Sequence, residues 1–188
     1  VDGRLSFVGL VRDYKNVPGL LDAFRDLPRP EATLTIAGEP ASEALRNTVS
    51  SATRADPRVT AILRHVDEAE MADIIGQSQL VVLPYKQLGN SGAALLALSL
   101  GRPVLLPLND ATRALASELG EQWVRLYENP LEAADLNEAL TATAELRSGD
   151  RPDLSRRDWN AIGRMHADVY RDARLKRRRL ADRGHSRP

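Results

Sequence analysis

Residues 79–107 read "QLVVLPYKQLGNSGAALLALSLGRPVLLP". "QLVVLPY" (79–85) has the pattern of a strand buried on both faces. A polar loop follows. Residues 91–100, "SGAALLALSL", carry no charge and are rich in Ala and Leu, which favour helix. Gly101 and Pro103 stop that helix, and "PVLLP" (103–107) forms a second buried strand. Strand, helix and strand joined by short connections make a parallel unit with a crossover helix. The helix is apolar on nearly every side although 28% of the chain is charged. That predicts burial between the sheet and another layer.

The alternation extends in both directions. "RLSFVGLV" (4–11), "ATLTIAG" (32–38) and "RVTAILRHV" (58–66) are predicted strands, as is "WVRLY" (123–127). Helices are predicted over 16–27, 42–53, 111–119 and 130–147, with a final one over about 155–180. In the first of these, Val17, Leu20, Leu21 and Phe24 recur at helical spacing as one core-facing stripe. Asp67, with Glu70 three residues later, predicts a capping box opening a further helix, stapled by Val66 and Met71. About six strands alternating with helices place the chain in the α/β class. The expected form is a Rossmann-like parallel sheet of about six strands with helices on both faces. The linker-like "RSGDRPDLS" (147–155) divides it. Residues 1–150 are expected to form the Rossmann-like domain, and 151–188 a C-terminal helix with a basic tail.

Composition excludes several classes. The 188 residues, 43% hydrophobic, suit one well-buried domain. With no cysteine there is neither a disulfide framework nor a thiolate metal site, and three scattered histidines give no reason to expect a metal. No apolar run approaches the roughly 20 residues that span a bilayer. Residues 171–188 hold eight basic and two acidic side chains, a net +6 against −6 for the rest. The plain reading of this tail is a solvated helix end. The sharper one is weak contact with an anionic membrane. The expected location is cytoplasmic, with peripheral contact at the inner face of the membrane, and no nucleic-acid partner is expected. The dinucleotide fingerprint, the Gly-Lys-Ser/Thr phosphate loop and the Gly-x-Ser-x-Gly elbow are all missing from the sequence.

Ligands of open α/β sheets bind beyond the carboxyl ends of the strands, so the loops there are the candidates. Arg12 and Lys15 follow the first strand and precede a helix, which makes an anion site or a pair of solvated cations. Gly38 ends the second strand and either admits a ligand or only turns the chain. His65, past the third strand, contacts a base or sugar or caps the strand end. Asn90, Ser91 and Gly92 enter the apolar helix, where free amides can cradle phosphate or sugar hydroxyls.

"FVGLVRDYKNVPGLLDAF" (7–24) resembles the start of the nucleotide-sugar-binding, C-terminal domain of GT-B glycosyltransferases of the broad family 4 type. That pattern is Phe-x-Gly-x-x-Arg-x-Tyr-Lys-Gly. Here it reads Phe7, Gly9, Arg12, Tyr14 and Lys15, with Asn16 where glycine is common. "LTIAGEP", "VDEAEMADIIGQSQLVVLPY" and "SGAALLALSLGRPVLLP" are similar to later segments of the same domain, so the likeness covers residues 5 to about 147.

The resemblance implies a hexosyltransferase of polysaccharide biosynthesis that uses a UDP- or GDP-sugar and no cofactor. It implies that Arg12 and Lys15 are catalytic, binding the donor diphosphate and stabilising the leaving nucleotide. Gly9, Gly38, His65, Tyr85, Asn90, Ser91 and Gly92 would contact the donor. Many relatives carry two glutamates around the apolar helix, and those positions hold Leu88 and Leu96 here. The resemblance also implies a partner, an N-terminal domain that binds the acceptor and for which these residues have no room. Alone, they are expected to bind nucleotide weakly and transfer nothing. A non-catalytic nucleotide-sugar-binding or scaffold domain and a nucleotide-sugar 2-epimerase-like domain are the alternative readings.

Overall fold

A computed structural model describes residues 3–86, 91–128, 130–146 and 149–157. The chain divides into two units, Val1–Pro152 and Asp153–Pro188. Of the second, only a short stretch ending in the 3-10 turn Ser155–Arg157 is described, with the Asp153 carboxylate accepting the Ser155 amide at 2.9 Å. Most of the helix predicted over 155–180, and the basic tail, lie outside the described residues.

The first unit holds six parallel strands: β1 (Arg4–Val8), β2 (Thr33–Ala37), β3 (Val59–Ile62), β4 (Leu80–Val82), β5 (Val104–Pro107) and β6 (Val124–Tyr127). Their order in the sheet is β3-β2-β1-β4-β5-β6. Leu5 of β1 pairs with Leu34 of β2 on one side and Leu80 of β4 on the other. Six helices connect and flank them: α1 (Val17–Arg25), α2 (Glu43–Ala55), α3 (Glu68–Gly76), α4 (Gly92–Ser99), α5 (Asp110–Leu119) and α6 (Ala133–Thr143). Helix α1 packs on α2 and α6, while α3 packs on α4. Right-handed crossovers require this arrangement, since the connections run outward in both directions from the centre of the sheet. The core between the layers includes Phe7, Leu34, Ile36, Leu105, Phe24 and Ile75, all at most 1% exposed.

Three strands are clearly shorter than the sequence predicts. β4 covers only Leu80–Val82 of the expected 79–85, since Pro84 has no amide to extend the ladder. β1 ends at Val8 because Gly9 turns the chain at φ 111°, and Val11 returns only as an isolated bridge to Pro40. β3 ends at Ile62 because it is an edge strand whose sole partner, β2, ends opposite it at Ala37. The predicted stripe of α1 is fully buried. The box at α3 closes on one side only. Asp67 accepts the Glu70 amide at 2.8 Å, but the Glu70 carboxylate takes the Arg64 guanidinium in a bidentate pair at 2.6 and 2.7 Å.

Helix α4 corrects another expectation. Ala94, Ala97 and Leu98 are buried, but Ala93, Leu95 and Leu96 are only half-buried. It packs on α3 and β5, so among the described residues its outer face has no full second layer. The Gly101–Pro103 turn after it has its own task. Arg102 donates to the carbonyl of Gly76 at 2.6 Å, closing the C-terminus of α3.

Candidate functional site

The strand order reverses between β1 and β4, and the loops leaving them diverge into a crevice at their carboxyl ends. The β1 loop is shaped by backbone contacts. Gly9 donates to the Ala37 carbonyl, and Val11 exchanges bonds with the loop after β2 through Glu39 and Ala41, each at 2.9 Å. Gly38, at φ 149°, lies so close that a Cβ on it would overlap the Gly9 carbonyl. A 3-10 turn, Asp13–Lys15, follows and ends in Asn16 at φ 49° and ψ 39°. That left-handed conformation explains why glycine suits the position, and asparagine tolerates it.

Lys15 folds back over the loop. Its ammonium lies 5.1 Å from the centre of the Tyr85 ring and 5.9 Å from that of Phe7. Burial, and then the charge of Arg12, hold its pKa below the ordinary lysine value. Among the described residues neither Arg12 nor Lys15 forms an ion pair, and Arg12 is exposed.

Tyr85, just past β4, is 5% exposed and packs edge-on against Phe7 and Tyr14, with ring centres 6.5 and 6.0 Å away. Burial pushes its hydroxyl up to about 12. The Lys86 amide donates to the Tyr14 carbonyl at 2.7 Å, tying the two loops together. Ser91 caps α4, its oxygen accepting the Ala94 amide at 3.3 Å. The exposed Gly92 opens the helix, and among the described residues no atom lies within 4 Å of where a Cβ would stand.

Gly9, Arg12, Lys15, Tyr85, Ser91 and Gly92 therefore meet at the switch point. Gly38 lies against them and sets the course of the loop. His65 stands apart and exposed, past the edge strand β3, with β2 between that strand and β1. Asn90 and Leu88 fall outside the described residues, and Leu96 lies half-buried on α4. Phe7 and Tyr14 were not singled out by the sequence reading as parts of the site. The available signal was scarcity: the chain has eight Phe, Trp and Tyr residues, and three of them surround Lys15. Three described cavities lie elsewhere, one of about 400 Å³ between α1 and α2, one of about 460 Å³ beside α3 over β2 and β3, and one of about 150 Å³ at β6.

Paired cations beside a capped helix start, at the switch point of an α/β sheet, form an arrangement that can take an anion. The family model for glycosyl transferases group 1 matches residues 2–141, and the chain belongs to that family. It is 46% identical over 173 residues to a GDP-mannose:glycolipid 4-beta-D-mannosyltransferase of Xanthomonas campestris pv. campestris, covering 92% of this chain and 50% of that protein. The chain thus spans about half the length of the curated relatives it matches. Its fold is shared with the catalytic domain of cholesterol-alpha-glucosyltransferase from Helicobacter pylori (TM-score 0.59, 23% identity, 76% of this chain and 86% of that one). It is also shared with Anabaena HepE in complex with UDP-glucose (TM-score 0.62, 14% identity, 77% of this chain and 39% of that one). Among the described residues no helix is long and apolar enough to cross a membrane, and no cluster of ligating side chains is arranged to hold a metal.

Proposed function

We propose that the chain is the donor-binding half of a glycosyltransferase that moves a mannosyl group from GDP-mannose to a lipid-linked glycan. The observation that carries this reading is the 46% identity, over nearly the whole chain, to a mannosyltransferase that its name assigns to GDP-mannose and glycolipid. The same likeness disfavours the scaffold and epimerase alternatives. In this reading Arg12, Lys15 and the free amides opening α4 take the diphosphate from two sides. An acceptor hydroxyl attacks C1 of the sugar, the bond from C1 to the phosphate oxygen breaks, and GDP departs with the electron pair. Fixed cations and amides stabilise the charge that develops on that leaving group.

The relative's name specifies a β-linked product, whereas the sugar of GDP-mannose is α-linked. Transfer by the same course inverts C1 in one displacement, with the attacking hydroxyl and its base on the face opposite GDP. Such a reaction needs no carboxylate from the donor helix, which accommodates leucines at positions 88 and 96. The acceptor and its base then belong to the remaining length seen in the relatives. A glycolipid acceptor also fits a cytoplasmic protein working at a membrane face in polysaccharide synthesis.

Calorimetry of the intact protein with GDP, GDP-mannose, UDP and UDP-glucose tests this. Guanine ligands should bind more tightly than uracil ligands, and Arg12→Ala or Lys15→Ala should each weaken GDP by about tenfold or more, the loss of one charged contact. A preference for UDP would overturn the donor assignment, and unchanged affinity in both variants would overturn the site.

A further inference from the structure

In the diphosphate reading Lys15 and the α4 amides hold one ligand, yet they come from different segments. Lys15 rides on the loop after β1, and Ser91 caps a helix that follows β4. Each is difficult to hold in place. A lysine carries a flexible four-carbon stem, and no described carboxylate anchors this one. A carboxylate would in any case compete with the ligand for the ammonium. An aromatic face supports a cation without adding a negative charge to the site.

Tyr85 supports this ammonium. Its ring lies under the Lys15 ammonium and is itself fixed by edge contacts to Phe7 and Tyr14. The Lys86 amide, next to Tyr85, donates to the Tyr14 carbonyl at 2.7 Å and joins the two loops. At 5% exposure it has almost no surface left for a ligand of its own.

We propose that Tyr85 is a positioning residue rather than a donor contact: its ring, held by Phe7 and Tyr14, seats the Lys15 ammonium at the site. This rests on the diphosphate reading of the site given above. Tyr85 then acts only through Lys15, so its removal and that of Lys15 must overlap in effect.

The test is calorimetric titration of GDP into the intact protein and its variants Tyr85→Phe, Tyr85→Leu, Tyr14→Leu and Lys15→Met, with the two double variants that pair Tyr85→Leu and Tyr14→Leu each with Lys15→Met. Tyr85→Leu should weaken GDP by about tenfold, and Tyr85→Phe, which keeps the ring, should recover most of that loss. Lys15→Met should cost less in the Tyr85→Leu protein than in the wild type. A generally loosened fold would not give this selective overlap. Should Tyr85→Leu fail to fold, the pairing of Lys15→Met with Tyr14→Leu decides, since Tyr14 is exposed and its ring holds that of Tyr85. If wild type binds GDP, Lys15→Met weakens it, and the tyrosine effects multiply independently with that of Lys15→Met, the proposal fails while the donor reading stands. If the wild type binds neither GDP nor UDP, the donor reading falls and the proposal with it.

Discussion

Lys15 is held over two aromatic rings with Arg12 as a charged neighbour, and both burial and that charge lower its pKa from 10.5. The unfolded chain binds the Lys15 proton more tightly than the folded one does, so below the folded pKa the charged lysine weakens folding. That penalty fades as pH rises through the lowered pKa towards 10.5. Lys15→Met, which keeps a flexible apolar stem against the rings, should therefore raise Tm at pH 7. The gain should shrink at alkaline pH, while the Tm increase produced by GDP is lost. Thermal melts with and without GDP at several pH values measure all three effects, and a lower Tm for Lys15→Met at pH 7 would contradict the argument. GDP affinity should fall as pH climbs through the same lowered pKa, because a diphosphate needs the ammonium. Tyr85, pushed up to about 12, keeps its proton throughout that range.

Among the elements, the glycines at the ends of β2 and the start of α4 make opposite predictions. Gly38 sits at φ 149° against the Gly9 carbonyl. Gly38→Ala must move the loop that carries Lys15 and should cost about 1–3 kcal/mol of stability as well as GDP affinity. Gly92 is helical with no described atom within 4 Å of a Cβ, so Gly92→Ala should add about 0.4–1 kcal/mol to the free protein. It should nonetheless weaken GDP, since the added methyl occupies ligand space. Denaturant melts beside calorimetry separate the two signs. If Gly92→Ala binds GDP like the wild type, the ligand does not approach the helix there. What the sequence showed at this scale follows from how local each signal is. The α1 stripe was legible because helical spacing alone sets it. The ends of β1 and β3 were not, because Gly9 turns the chain in one case and the reach of β2 limits the other. The half-formed box at Asp67 was misread because Arg64, outside that pattern, takes the Glu70 carboxylate. The loop residues of the site were legible one by one, but their meeting around Tyr85 was not. It depends on β1 lying beside β4, which no periodicity reveals.

For the molecule as a whole, the site stands on the centre of the sheet. Phe7 of β1 and Leu80, Val81 and Val82 of β4 are all fully buried. The opposite end is tied down too. Gln79 accepts the Gly3 amide at 2.6 Å and donates to the Leu140 carbonyl at 2.7 Å, while Arg29 reaches Asn137 and Thr141 of α6 at 2.7 and 2.6 Å. Strands and helices with one shared core should therefore keep the crevice formed whether or not a ligand is present. Mass action then gives a clear expectation for these 188 residues expressed alone. GDP at about 100 times its Kd should stabilise them by about 2.7 kcal/mol, visible as a higher Tm. Catalysis is a different matter. In the proposed reading Arg12, Lys15, Ser91 and the helix amides serve the departing anion, and a glycosyl transfer also needs an oriented acceptor hydroxyl and a group to take its proton. The isolated chain should thus bind GDP-mannose and form no glycosidic bond with a glycolipid acceptor. Product from the isolated chain would place acceptor and base within these residues. A missing Tm shift with GDP would instead mean that the crevice is completed by the rest of the protein.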